Sequence, residues 1–296
     1  MDISANIDWI SSTYLTENKS DCVREIHSLE GAEGTPVWGY NGYDTAKQYP
    51  SGAIMMWHSK TASMGVYVVY TAKCIARLFE LRGVQQDVLL DTLATNGRIS
   101  RLDVALDVEN GRINIAKLYK DAKRGKISTR AKSFGYVESA NINKDGKVEG
   151  CETAYIGSMT KRKKLLRIYD KGQQLGLKID LKRFELELHG YPAINAAKTL
   201  KSHEYGEMPQ DIAGMIQGYA DFTETSARKV FAHRDKIKLT HARYKKSNTA
   251  QWLIDVVAPT LARECFQDER LFADFMAKFQ FEFNNLRYQA GYNDKE

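Results

Sequence analysis

The chain has 296 residues, 43% hydrophobic and 27% charged, with 5 Pro and a formal net charge of +6. That composition excludes a disordered, collagen-like or low-complexity chain, and the length suits one large or two modest domains of roughly 100–200 residues. The longest apolar stretch, Trp252 to Ala262, is broken by Asp255 and is shorter than the roughly 20 residues of a membrane span.

Period-2 and β-rich runs predict strands at residues 6–11, 53–58, 65–70, 98–108, 129–137, 153–158, 165–169 and 182–189. Helical spacing predicts helices between them at 72–81, 85–93 and 113–124. After Gly190 the β signal ends, and 194–201, 210–220, 250–265 and 269–289 read as helices. An internal echo joins two units: Arg101-Leu-Asp103-Val is matched by Arg183-Phe-Glu185-Leu, and Ile113-Asn-Ile-Ala-Lys117 by Ile194-Asn-Ala-Ala-Lys198. The expectation is an α+β protein. A central, mostly antiparallel sheet built from duplicated strand-helix units occupies residues 1–190, and a helical DNA-binding or regulatory region occupies 191–296.

The N-terminus, Met1 to Tyr14, lacks a basic segment followed by an apolar run, so no secretory signal is legible and a cytoplasmic location, away from membranes, is expected. Cys22, Cys74, Cys151 and Cys265 form no CxxC pair, which predicts reduced thiols rather than a disulfide framework or a thiolate zinc site.

Charge is unevenly spread. Residues 1–35 hold seven acids and two bases, and 264–296 seven acids and four bases. Three interior windows are strongly basic: Arg112 to Lys132 (eight bases, one acid), Lys161 to Arg183 (nine bases, two acids) and Ala227 to Ser247 (eight bases, one acid). Cation clusters of this kind gain affinity for nucleic acid by releasing condensed counterions. The third window supplies the residues expected to contact duplex phosphates: Arg228, Lys229, Arg234, Lys236, Lys238, Arg243, Lys245 and Lys246.

Alternation along Arg101–Val108 sends Leu102, Val104, Leu106 and Val108 to the core and leaves Arg101, Asp103 and Asp107 on the other face. In the same way Phe184, Leu186 and Leu188 point inward while Arg183, Glu185, Glu187 and His189 point outward, and Arg167, Tyr169 and Lys171 share one face of a third strand. Asp103 and Asp107, four residues apart, lie about 13 Å apart along the strand and cannot both bind one ion. An acid from each of two neighbouring strands can flank a cation, and the repeat pairs Asp103 with Glu185. Oxygen donors favour Mg²⁺ or Mn²⁺, with His189 a candidate extra ligand. Arg167 and Lys171 beside Tyr169 would favour its phenolate and the charge that develops on a phosphate. The same residues also fit a solvent-facing sheet with cross-strand ion pairs and an aromatic cap.

Four segments carry a resemblance: Arg101-Leu-Asp-Val-Ala-Leu-Asp107, Tyr155-Ile-Gly-Ser158, Leu166-Arg-Ile-Tyr-Asp-Lys171 and Arg183-Phe-Glu-Leu-Glu187. Their order resembles that of the Rep-trans rolling-circle replication initiators of plasmids. The Asn6-Ile-Asp-Trp-Ile10 opening and Ala250-Gln-Trp-Leu-Ile-Asp-Val-Val-Ala-Pro259 look more like the filamentous-phage branch. The resemblance implies a nickase that cleaves one strand of a double-strand origin, joins its 5′ end through a phosphotyrosine and leaves a 3′-OH primer. It implies Tyr169 as nucleophile, Asp103 and Glu185 as metal ligands and Asp107 as a supporting acid; should Tyr169 not serve, Tyr155 is next in line. It also implies Arg101, Arg167, Lys171 and Arg183 as phosphate-holding groups, a host helicase as partner and often a homodimer. The six histidines never occur two apart, so the His-hydrophobic-His metal motif of the other large nickase type is missing. A conjugative relaxase, a basic DNA-binding protein without catalysis and an RNA-binding sheet are the competing readings.

Overall fold

The computed structural model describes residues 1–14, 33–82, 98–142, 148–160, 163–202, 207–232, 234–239, 258–265 and 268–289. Its centre is a ten-stranded sheet. In chain order the strands are β1 (Asp2–Tyr14), β2 (Thr35–Val37), β3 (Thr45–Gln48), β4 (Ile54–Trp57), β5 (Val66–Thr71), β6 (Arg98–Glu109), β7 (Ser128–Thr129), β8 (Phe134–Ile142), β9 (Val148–Ile156), β10 (Lys164–Asp170), β11 (Leu181–His189) and β12 (Ala220–Asp221). The order across the sheet is β2-β3-β4-β5-β1-β6-β11-β10-β9-β8, while β12 and β7 pair separately. Every neighbouring pair is antiparallel. The expected α+β class and antiparallel sheet are what the chain adopts, and the two echoing strands, β6 and β11, lie side by side at its middle.

Alternation sets the layers. Leu102, Val104, Leu106, Val108, Phe184, Leu186 and Leu188 are wholly buried, and each such side chain contributes about 1.5–3 kcal/mol by leaving water. They share one cluster with Ile115 and Leu118 of α2 (Ile115–Lys123), Ala193 and Ala196 of α4 (Tyr191–Ser202), and Ile212, Met215 and Ile216 of α5 (Met208–Tyr219). Cys74 and Ile75 of α1 (Ala72–Arg82) join the same cluster. These helices therefore lie over one face of the sheet, and the polar residues of the central strands stand on the other. Asn114 starts α2 by accepting a hydrogen bond from the Lys117 amide (2.7 Å). Asp170 does the same for the one-turn α3 (Lys171–Gln174) through the Gln173 amide (2.8 Å).

The fold divides the chain into units of residues 1–241 and 242–296. The expected boundary after residue 190 is too early: α4, α5 and the short α6 (Arg228–Phe231) bury Ala193, Ile212, Phe231 and their neighbours in the sheet's own core. Residues 234–239 are held down on α5. A Cβ at Gly214 would sit 2.6 Å from the Asp235 carbonyl oxygen, and one at Gly218 would sit 2.1 Å from that of Ile237, so only glycine permits this approach. The second unit contains α7 (Ala258–Cys265) and α8 (Glu269–Gln289), with Phe275 and Phe279 stacked 6.2 Å apart. The expected helix at 85–93 and the first part of that at 250–265 lie outside the described residues. Periodicity does not reveal β2 and β3, whose three and four residues are too short to show a period. Among the described residues no helix is long and apolar enough to cross a membrane.

Candidate active site

The site grows from the register of four central strands. Arg183 stands opposite Asp107, Glu185 opposite Ala105, Glu187 opposite Asp103 and His189 opposite Arg101. On the next strand Arg167 faces Glu185 and Tyr169 faces Arg183. This corrects the expected pairing of Asp103 with Glu185. Antiparallel neighbours run the two Arg-x-acid motifs in opposite directions, so the equivalent positions of the repeat do not meet. Acids and guanidinium groups interlock instead.

β1 supplies two further members. A register shift between Ile7 and Trp9 marks a bulge, which places Asp8 and Trp9 on the polar face while Ile7 and Ile10 remain in the core. Asp8 ion-pairs with Arg183 Nη1. Arg183 also grips Asp107 through Nε and Nη2, both at 2.6 Å, and Asn6 donates to Asp107 Oδ2 (3.1 Å). The Arg101 guanidinium lies 4.6 Å from the Trp9 ring centroid and donates to Asp103 through Nε (2.9 Å) and Nη2 (2.6 Å).

Arg167 joins the rest. Its Nη2 lies 2.7 Å from Glu185 Oε1, 2.9 Å from Glu187 Oε2 and 3.4 Å from Asp103 Oδ2. Its buried Nε has no hydrogen-bond partner among the described residues, an unmet donor that costs about 1–3 kcal/mol. Glu187, fully buried, uses Oε1 to meet His189 Nε2 at 2.7 Å. The Tyr169 hydroxyl donates to Glu185 Oε2 (2.8 Å). Tyr155 stands opposite Arg167 on the outer neighbour, β9.

Five carboxylates, Asp8, Asp103, Asp107, Glu185 and Glu187, meet three guanidinium groups, Arg101, Arg167 and Arg183, leaving two negative charges uncompensated within the lattice. Burial pushes Asp103 up to about 6 against the opposing pull of Arg101, and burial likewise raises Asp8 although Arg183 opposes it. Tyr169 is raised well above its ordinary value, first by burial, then by the charge of Glu185 and by the hydrogen bond to it. The expectation that Arg167 and Lys171 favour the phenolate is overturned. Arg167 is committed to carboxylates, and Lys171 bonds Gln174 (2.8 Å) with its Nζ 6.0 Å from the Tyr169 ring centroid.

Asp107 belongs to the Arg183 and Asp8 side of the lattice, apart from Asp103, as the strand rise requires. Among the described residues no group of three His, Cys, Asp or Glu side chains is set to hold a metal ion. The cation that Asp103, Glu185 and Glu187 surround is the Arg167 nitrogen. Arg183 is buried between Asp8 and Asp107 rather than open to phosphate. In the third basic window Arg228, Lys229 and Lys238 are exposed and Arg234 half-buried, whereas Lys236 is tied to Asp221 (2.5 Å). Arg243, Lys245 and Lys246 lie outside the described residues. Sequence reasoning left three members of the lattice without a role: Glu187, Asp8 and Trp9. The alternation exposed Glu187, and the spacing of Ile7 and Ile10 was the signal for the bulge.

A tyrosine and a carboxylate–guanidinium lattice share the polar face of the central sheet. Residues 97–278 match the replication initiation factor family, Rep_trans, and the chain belongs to that family. The rolling circle replication initiator protein from Geobacillus stearothermophilus has a similar structure: 25% identity and a TM-score of 0.62, covering 80% of this chain and 94% of that one. The di-domain ARO/CYC BexL from the BE-7585A biosynthetic pathway overlaps at a TM-score of 0.19 and 9% identity, covering 80% of this chain and 100% of that one, too little to bear on function. No curated protein matches the chain significantly.

Proposed function

We propose that this replication initiation factor starts rolling-circle replication by nicking one strand of an origin duplex. The Tyr169 oxygen attacks phosphorus, the bond from phosphorus to the 3′ oxygen breaks, and the departing oxygen takes up a proton to become the primer 3′-OH. The enzyme keeps the 5′ phosphate as a phosphotyrosine. The observation that carries this reading is the 2.8 Å hydrogen bond from the Tyr169 hydroxyl to Glu185 Oε2, the spacing a general base needs to take the phenolic proton. A phenol whose pKa is raised requires such a base. Lys171, beside the Tyr169 ring, is the cation placed to meet the scissile phosphate.

Carboxylate oxygens suit a hard divalent ion, Mg²⁺ or Mn²⁺, but Arg167 Nη2 stands between Asp103, Glu185 and Glu187 where such an ion would lie. With that guanidinium displaced, Asp103 and Glu185 would hold the ion, and bound there it would supply positive charge to the phosphate. The exposed cations Arg228, Lys229 and Lys238 suit duplex phosphates. Following the family resemblance, a homodimer and recruitment of a host helicase belong to the same reading.

The test is to incubate the protein with Mg²⁺ or Mn²⁺ and a labelled single strand from its origin, then to look for a protein–DNA adduct on a denaturing gel and by intact mass. Wild type forms the adduct and Tyr169→Phe does not. An adduct that persists in the variant and maps to Tyr155 would move the nucleophile to β9.

A further inference from the structure

The polar face does not end at Arg101. Beyond Trp9 the same face crosses β5, β4, β3 and β2, where the register aligns Thr13 with Tyr67, Tyr67 with Met56, Met56 with Ala46 and Ala46 with Val37. Charge gives way there to a second apolar cluster, in which Ala46, Met56 and Val69 are buried and Trp9, Val37, Tyr43, Ile54 and Tyr67 half-buried around them. Arg98, exposed and opposite Thr13, borders it.

The β2–β3 loop borders this face through Tyr40 and Tyr43. The chain reverses at Asn41 and Gly42, both at positive φ (56° and 86°), closed by a bond from the Tyr43 amide to the Tyr40 carbonyl (3.1 Å). A Cβ on Gly39 would fall 2.2 Å from the Tyr43 carbonyl oxygen, so the loop closes that tightly only around glycine. Tyr43 stacks on Tyr67 at 5.6 Å and donates to the Met64 carbonyl (3.2 Å). Asp44 accepts from the Ser59 amide (2.8 Å). Tyr40 lies near Tyr67 and Arg101. Out of this fixed loop Trp38 projects 96% exposed and Tyr40 41% exposed.

We infer that the exposed rings of Trp38 and Tyr40 are a stacking platform for the unpaired DNA strand running to or from Tyr169. The inference rests on the nickase reading for its occupant and on geometry for its place. Aromatic rings presented to solvent bind bases through their π-faces irrespective of sequence, and bordering cations hold the phosphates. The platform is continuous with the candidate site, because the Trp9 ring carries the same guanidinium that clamps Asp103. It lies within residues 9–71, outside the 97–278 stretch that matches the family, so membership does not supply it.

The experiment measures binding of a fluorescein-labelled oligothymidylate of about twenty nucleotides to full-length Trp38→Ala, Tyr40→Ala and the double variant, with Trp38→Phe as control. Each stacked base contributes enough that its loss weakens binding roughly 5- to 150-fold. The expected result is a loss in that range for each alanine variant, near-normal affinity for Trp38→Phe, unchanged affinity for a blunt duplex and, for nicking, a raised KM with unchanged kcat. Oligothymidylate affinity unaltered in the double variant would overturn the platform, as would a double variant whose only change is from dimer to monomer in sedimentation. The two readings fail separately. Wild type that forms no tyrosine adduct yet loses strand binding on Trp38→Ala would keep the platform and remove the nickase, and normal adduct formation with unaltered strand binding would do the reverse.

Discussion

The Tyr169 hydroxyl on β10 donates a hydrogen bond to Glu185 on β11 across 2.8 Å, and the same carboxylate holds Arg167 through its other oxygen at 2.7 Å. One side chain thus keeps the phenol protonated and fixes the neighbouring guanidinium. A negative charge beside a half-buried phenol opposes phenolate formation, so the proposed nicking step requires the carboxylate to take the proton as the oxygen attacks.

Tyr169→Phe should therefore abolish the covalent DNA adduct while leaving the protein folded. It removes one hydrogen bond to a charged group, which costs about 1–3 kcal/mol, and a thermal melt of the variant should remain cooperative and only slightly lowered.

Glu185→Gln should preserve strand binding and lose nicking at neutral pH, by about two to four orders of magnitude for the loss of a general base. Replacing the charge with an amide should also bring the Tyr169 pKa down toward its ordinary value of 10.0, because the second and third causes of its elevation disappear. A ¹³Cζ-tyrosine NMR titration would follow that resonance. A tyrosine that titrates no earlier in the variant would separate Glu185 from Tyr169.

Arg183 offers a test of the lattice as structure. It is buried and pairs Asp8 with Asp107, so Arg183→Met leaves two acids facing each other without a cation. Breaking a buried pair in this way typically costs 3–5 kcal/mol. Urea denaturation should show a loss of about that size, and adding Asp8→Asn and Asp107→Asn together should recover part of it.

Asp103 sets a pH dependence whose sign follows from its raised pKa. Its carboxyl titrates near 6 in the folded chain against 3.8 ordinarily, so between about pH 4 and pH 6 the folded form holds more protons than the unfolded one. Stability rises as pH falls through that window, and the penalty, up to about 3 kcal/mol, is fully present above it. Melting of the metal-free protein should thus show an Asp103 contribution that favours pH 5 over pH 7. Asp103→Asn should flatten that difference, and saturating Mn²⁺ should flatten it in wild type.

Exposed cations of the third basic window should act on duplex affinity alone. Neutralising Arg228, Lys229 and Lys238 together should reduce the dependence of log K on log salt by about 0.9 for each phosphate that the protein no longer neutralises. Nicking of a short single strand should stay nearly unchanged. A parallel fall in both activities would place these residues at the active face instead.

The amino-acid order by itself determined the two long central strands and which residues face their core, because period-2 alternation of Leu102, Val104, Leu106 and Val108 against Arg101, Asp103 and Asp107 reflects the pleat of a single strand. It also marked helices at 72–81, 113–124 and 210–220, within two residues of those the chain forms at Ala72–Arg82, Ile115–Lys123 and Met208–Tyr219, because their apolar spacing is local. Which acid meets which base was decided only in three dimensions. Register between strands depends on the whole antiparallel arrangement, and it set Glu187 rather than Glu185 against Asp103, brought Asp8 to Arg183 through a bulge and made Arg167 the cation at the centre. The helices after residue 190 joined the sheet for the same reason: a buried face needs a covering layer, and nothing in the local pattern of Ile212 or Phe231 says which surface will supply it.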